Sequence, residues 1–117
     1  MFQSLGAKTF ILPTPVFLVG TYDHTGRPNI MTAAWTGIVS SDPAMTYVSI
    51  RPSRYSHELI KESGEFVINL TTLPLVTAAD FCGVKSGRDT DKFKEMNLTP
   101  GACSQVSCPQ IMESPVS

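Results

Sequence analysis

Two apolar runs, Val16 to Tyr22 (VFLVGTY) and Asn29 to Trp35 (NIMTAAW), flank the polar connector Asp23-His24-Thr25-Gly26-Arg27-Pro28. β-branched and aromatic residues on both sides of a glycine-bearing connector predict an antiparallel hairpin. Pro13 and Pro15 precede the first run, at a strand edge where a missing N–H does least harm. Thr36 to Ser41 (TGIVSS) reads as a continuation of the second strand up to the turn at Asp42-Pro43. In Ala44 to Ile50 (AMTYVSI), Met45, Tyr47 and Ser49 alternate with Thr46, Val48 and Ile50. Neither face is plainly polar, which predicts a strand buried on both sides.

Beyond that strand the period changes. Arg51 to Ser56 (RPSRYS) suits a loop that leads into a helix, His57 to Ser63 (HELIKES), which Gly64 stops. Glu65 to Leu70 (EFVINL) is another strand, and Thr72 with Pro74 opens a second helix through about Phe81. Gly83 to Arg88 is a loop, followed by a short helix, Asp89 to Met96 (DTDKFKEM), begun by an aspartate cap. After Asn97, prolines and Gly101 interrupt every pattern, and only Gln110 to Met112 is strand-like. Four or five strands with two or three short helices define an α+β domain, mostly β, with an antiparallel sheet. Open sheet edges invite pairing with other chains, so a small barrel is the natural closure. The last segment supplies at most one weak strand. A second chain completing the sheet, or a chain that is a fragment, is therefore the expectation.

Length adds that the 117 residues form a single domain, 1–117, able to bury a genuine core. Hydrophobic residues at 42% against charged residues at 16% exclude intrinsic disorder. With nine Lys and Arg against ten Asp and Glu the net charge is -1. No global basic field recruits nucleic acid or an anionic membrane, so any anionic partner is held by a local cluster. Met1 to Lys8 lacks the features of a secretory signal and no apolar run reaches the ~18 residues of a membrane span, so a cytoplasmic location is expected. The three cysteines, Cys82, Cys103 and Cys108, have no zinc-like spacing and read as plain structural thiols.

Three constellations carry candidate chemistry. Arg51, Ser53, Arg54, Tyr55 and Ser56 bring guanidinium and hydroxyl groups to the mouth of a helix, a combination that suits a phosphate dianion. The ordinary alternative is a solvated capping loop whose arginines pair with Glu58 or Glu62. In Ser86-Gly87-Arg88-Asp89-Thr90-Asp91-Lys92-Phe93 a small loop lets backbone N–H groups approach a ligand, with Arg88 and Lys92 four residues apart. A plain helix cap with local charge pairs competes with that reading. In Met31-Thr32-Ala33-Ala34-Trp35 two alanines beside an indole leave room for a flat ligand, where ordinary core is the alternative. His24 and His57 have no sequence neighbours of a triad or metal site, and no carboxylate pair stands out for acid–base work.

In order along the chain, PTPVFLVGTYDxxGRPNIMTAAW (Pro13 to Trp35), Ser49-Ile50-Arg51 with Tyr55-Ser56, EFVINL (Glu65 to Leu70) and SGRDTDKF (Ser86 to Phe93) resemble the flavin reductase-like, FMN-binding split-barrel family, and within it the flavoredoxin branch. The resemblance runs from Ser4 to about Pro115. It implies an FMN-binding split β-barrel that works as a homodimer, with FMN held noncovalently and used for electron or hydride transfer. Electrons would come from NAD(P)H or a redox protein. Carried over by position, Thr32 and Trp35 line the flavin site; Ser49, Arg51, Ser53, Arg54 and Tyr55 form the phosphate loop; Ser86, Arg88 and Lys92 close it. Members of that family continue beyond the position of Ser117, so the chain is expected to lack the C-terminal strands of the barrel. A module of a different class, keeping the barrel without an active flavin, is the alternative.

Overall fold

A computed structural model describes residues 1–117. The elements are β1 (Phe17–Tyr22), β2 (Pro28–Ala33), β3 (Thr36–Ser41), β4 (Ala44–Val48), α1 (Tyr55–Ser63) and β5 (Val67–Leu70). A short 3₁₀ turn (Leu73–Leu75), α2 (Val76–Val84), α3 (Lys92–Glu95), β6 (Pro100–Ala102) and β7 (Pro109–Ile111) follow.

The expected hairpin is present. β1 is the middle strand of an antiparallel sheet ordered β2-β1-β5, paired from Phe17↔Ala33 to Tyr22↔Pro28 on one edge and from Phe17↔Leu70 to Gly20↔Val67 on the other. Leu18, Ile30, Cys82, Phe93 and Ile111, one from each of β1, β2, α2, α3 and β7, form the core. Gly20 makes the β7 contact possible: a Cβ there would lie 2.3 Å from the Pro109 carbonyl oxygen and 2.8 Å from Val67 Cγ1. Asn69, fully buried on β5, donates to the Leu18 carbonyl at 3.0 Å and accepts from the Ile111 N–H at 2.8 Å. A buried amide must find such partners, and here they fasten β7 to the sheet.

Several boundaries differ from the sequence expectation. Thr36 to Ser41 does not prolong β2; the chain leaves the sheet at Ala34-Trp35, and β3 pairs with β4 in a separate hairpin with a bulge between Ile38 and Ser40. β4 is not buried on both sides: Ala44 to Tyr47 are exposed. This hairpin projects from the main sheet across a groove of about 460 Å³ bordered by Phe17, Ile68 and Leu70. Apolar alternation reports that a face suits burial, not that the same chain covers it. The second helix runs on to Val84, so Gly83 packs inside α2, where a Cβ would meet Thr32 Cβ at 3.3 Å. α3 is capped by Asp91, whose carboxylate accepts the Lys94 N–H at 3.2 Å. β6 was hidden by its own proline and glycine. Seven strands in three sheets thus stand where four or five were expected.

Candidate functional site

Three stretches of backbone converge beside the main sheet: Met31 and Thr32 of β2, Ser53 to Ser56 at the start of α1, and the segment from Cys82 in α2 to Lys92 in α3. Between them lies a cleft of about 250 Å³.

Each wall is fixed by a traceable contact. Arg54 occupies the N-cap of α1 in extended conformation, and no side chain caps the helix, so its first N–H groups are available to a ligand. Buried Asn29 donates to Ser56 Oγ at 2.9 Å and to Thr21 Oγ1 at 3.1 Å, which pins that first turn to the sheet. The Thr32 hydroxyl donates to the Ala79 carbonyl and ties β2 to α2. Asp23 accepts from the N–H groups of Thr25 (2.8 Å) and Arg27 (2.9 Å), shaping the β1–β2 connector. Arg27 then donates through Nη2 to the Gly87 carbonyl at 2.7 Å. Only glycine fits there, because a Cβ on residue 87 would lie 2.1 Å from Asn29 Oδ1 and 2.9 Å from Tyr55 Cδ1.

The electrostatics are one-sided. Arg54, Lys85, Arg88 and Lys92 line the cleft against a single carboxylate, Asp89. Of the four, only Arg88 has a carboxylate partner, Glu58 at 3.5 Å, and its guanidinium lies 5.0 Å from the Tyr55 ring centroid. Lys92 is 5% exposed and donates to the Cys82 carbonyl at 2.8 Å. Burial lowers its pKa, opposed by the charge of Cys82 and reinforced by that of Arg54. Burial likewise pushes the Cys82 thiol up to about 11, against the pull of Lys92. A cleft with cations lacking counter-ions beside free helix N–H groups is suited to a phosphate.

Of the residues expected from the sequence, Thr32, Ser53, Arg54, Tyr55, Ser86, Arg88 and Lys92 come together on this cleft. Trp35, Ser49 and Arg51 do not line it. Trp35 is 52% exposed at the base of the β3–β4 hairpin, where its carbonyl accepts the Ser49 N–H at 2.8 Å. Arg51 is exposed and its carbonyl accepts the Arg54 N–H at 3.0 Å, which shapes the turn before α1. Lys85 joins the site without having been singled out, although it directly precedes the Ser86 loop. Asn29, Asp23 and Arg27 support the site from the β1–β2 connector and β2, a role with no local sequence signal. His24 also differs from expectation: Nδ1 lies 3.1 Å from Glu62 and Nε2 3.8 Å from Glu58, so it joins the connector to α1 at the surface.

Residues 9–117 match the model of the flavin reductase like domain, and the chain belongs to that family. Flavoredoxin of Desulfovibrio vulgaris (Miyazaki F) is similar at 46% identity with a TM-score of 0.92, over 97% of this chain and 62% of that one. Flavoredoxin from Methanosarcina acetivorans is similar at 30% identity and TM-score 0.86, over 97% and 60%. A protein of Shewanella frigidimarina with a split barrel domain is similar at 26% identity and TM-score 0.78, over 86% and 51%. The fold is therefore the split barrel, with sheets that do not close within this chain. The chain spans 58% and 59% of the length of two curated relatives to which it is 39% and 35% identical.

Proposed function

We propose that the cleft holds the phosphate end of a noncovalently bound FMN, and that the chain serves flavin-dependent electron or hydride transfer of the flavoredoxin or flavin reductase type. The observation that carries this reading is the set of cations, Arg54, Lys85 and Lys92, that face one cleft without a carboxylate partner. The phosphate of FMN carries nearly two negative charges at neutral pH. Arg54 and the first N–H groups of α1 would hold it from one side, and Ser86, Arg88 and Lys92 from the other. A volume of about 250 Å³ is below the ~300–1,000 Å³ of a typical small-molecule pocket, so it suits the phosphate and the adjoining chain rather than the whole cofactor. When bound, FMN supplies reversible acceptance of electrons or hydride, with NAD(P)H or a redox protein as the donor. This chain's residues anchor and orient the group, and cations nearby favour negative charge on it.

The same reading includes a homodimer. Trp35, Ser49 and Arg51 lie at or beside the foot of the exposed β3–β4 hairpin, where a second copy would bring them into a shared site. Titration of the purified chain with FMN tests the proposal, with a bound-flavin spectrum expected and inorganic phosphate competing for the site. A colourless protein that ignores FMN would overturn it in favour of a barrel without active flavin.

A further inference from the structure

β6 and β7 form a two-stranded hairpin in which Pro100 pairs with Ile111, Gly101 with Gln110 and Ala102 with Pro109. Continued by one position, the same register sets Cys103 opposite Cys108 at the mouth of the loop formed by Ser104 to Ser107. Directly opposed residues of an antiparallel pair are roughly 4.5–5.5 Å apart at Cα. That separation lies inside the ~4.4–6.8 Å range of disulfides. The sulfur positions agree with the register. The Cys103 sulfur lies by the Gln110 N–H, so this side chain folds over β7, close enough to Cys108 for a charge on Cys103 to act on its thiol. Both cysteines are free thiols. Their exposure differs: Cys103 is partly accessible, whereas Cys108 is 2% exposed.

We propose that Cys103 and Cys108 are a redox-active dithiol that exchanges with small disulfides such as oxidised glutathione, Cys103 attacking and Cys108 resolving. In the first step the Cys103 thiolate attacks one sulfur of the small disulfide. The old S–S bond breaks, one glutathione thiol leaves, and a mixed disulfide forms on Cys103. In the second step Cys108 loses its proton to solvent and attacks Cys103 Sγ, expelling the second glutathione. The protein gives up two electrons and two protons, and the small disulfide takes them up as two thiols. The roles follow from accessibility, since a bulky oxidant reaches Cys103 and only Cys103 reaches Cys108. Burial raises both thiols above their ordinary pKa, Cys108 to about 11 with Glu65 and Cys103 adding to the effect. Thiolate is scarce at neutral pH, so the rate climbs about tenfold per pH unit below the thiol pKa. Cys82 is an internal control: it is a buried residue of α2 in the main core, outside the β6–β7 loop. This site is independent of the flavin cleft.

The test is incubation of the purified chain with oxidised glutathione in mildly alkaline buffer, read by intact mass and by tandem mass spectrometry of the peptide carrying both cysteines. The expected product has lost two hydrogens, links Cys103 to Cys108, keeps one of its three thiols titratable and reverts with dithiothreitol. Cys108→Ser should stop at one glutathione on Cys103, and folded Cys103→Ser should stay unmodified. A wild-type chain that keeps all three thiols, holds glutathione on Cys103 without closing, or links through Cys82 would overturn the proposal.

Discussion

Lys92 is the residue whose placement is hardest to explain by packing alone. An ammonium group 5% exposed, with the Cys82 carbonyl as its one hydrogen-bond acceptor and Arg54 nearby, is held in a form that its surroundings disfavour. An anion in the cleft would supply the missing counter-charge. Because its folded pKa is lowered from the ordinary 10.5, the folded chain releases this proton before the unfolded chain does. Lys92's contribution to stability therefore rises with pH between the folded and unfolded pKa values and is flat below both. Affinity for a phosphate ligand moves oppositely, falling as pH rises through the same window. Lys92→Met should raise the melting temperature of the ligand-free chain by about 4 °C, the shift expected of about 1 kcal/mol at this size. The same change should weaken FMN about tenfold or more, the order expected of one charge-assisted contact. Thermal scans with and without FMN check both halves, and a variant that loses stability without losing affinity would make Lys92 structural. The sequence showed Lys92 and its loop glycine as candidates. It had no means of showing that the ammonium is buried, or that Asn29, some sixty residues away, leaves space at position 87 for glycine alone.

At the scale of elements, helix starts and tight loops were legible because their chemistry is local. Gly64 ends α1 with φ at +72°, as a left-handed C-cap requires, and α1 starts within the Arg51 to Ser56 lead-in, at Tyr55, two residues before the expected His57. The third helix was found but its cap was assigned two residues early, because Asp89 and Asp91 both satisfy the same local rule. Asp91 matters because α3 is one turn long and carries Lys92 and Phe93 into their buried sites. Asp91→Ala should lower stability by roughly 1 kcal/mol, the usual effect of losing a cap, and loosen FMN in parallel. Denaturant unfolding together with an FMN titration measures the two; unchanged values in both would show that neighbouring contacts hold α3 without its cap. β3 and β4 were misread for a different reason. Their alternation is that of a covered hairpin, and the strand that covers an edge or a face is never encoded in the strand itself.

Across the whole molecule, that uncovered hairpin and the exposed N-terminal segment both stand outside the core. The radius of gyration is 15.1 Å, against about 13 Å for a compact chain of this length. Ile38 is 86% exposed, and Val39, Met45 and Tyr47 are exposed beside it, as are Phe10, Ile11 and Leu12 of the N-terminal segment. Apolar surface on this scale is unusual for a monomer. A second copy can bury it reciprocally across a twofold axis, at roughly 25 cal/mol per Å² removed from water. Sedimentation of the protein should therefore give a homodimer whose FMN affinity falls as it is diluted apart. A monomer holding FMN at full affinity would confine the site to one chain.

The central claim is that the cleft between β2, α1 and the Ser86 loop is a phosphate site for FMN. The most direct measurement compares FMN with riboflavin, which lacks the phosphate, in the wild-type chain, Arg54→Ala and Arg51→Ala. Arg54 lines the cleft and Arg51 does not. The account predicts that Arg54→Ala weakens FMN by about ten- to hundredfold, or roughly 1.5–3 kcal/mol, leaves riboflavin nearly unchanged, and exceeds the effect of Arg51→Ala. Equal losses for the two flavins in Arg54→Ala, or no loss for either, would contradict it.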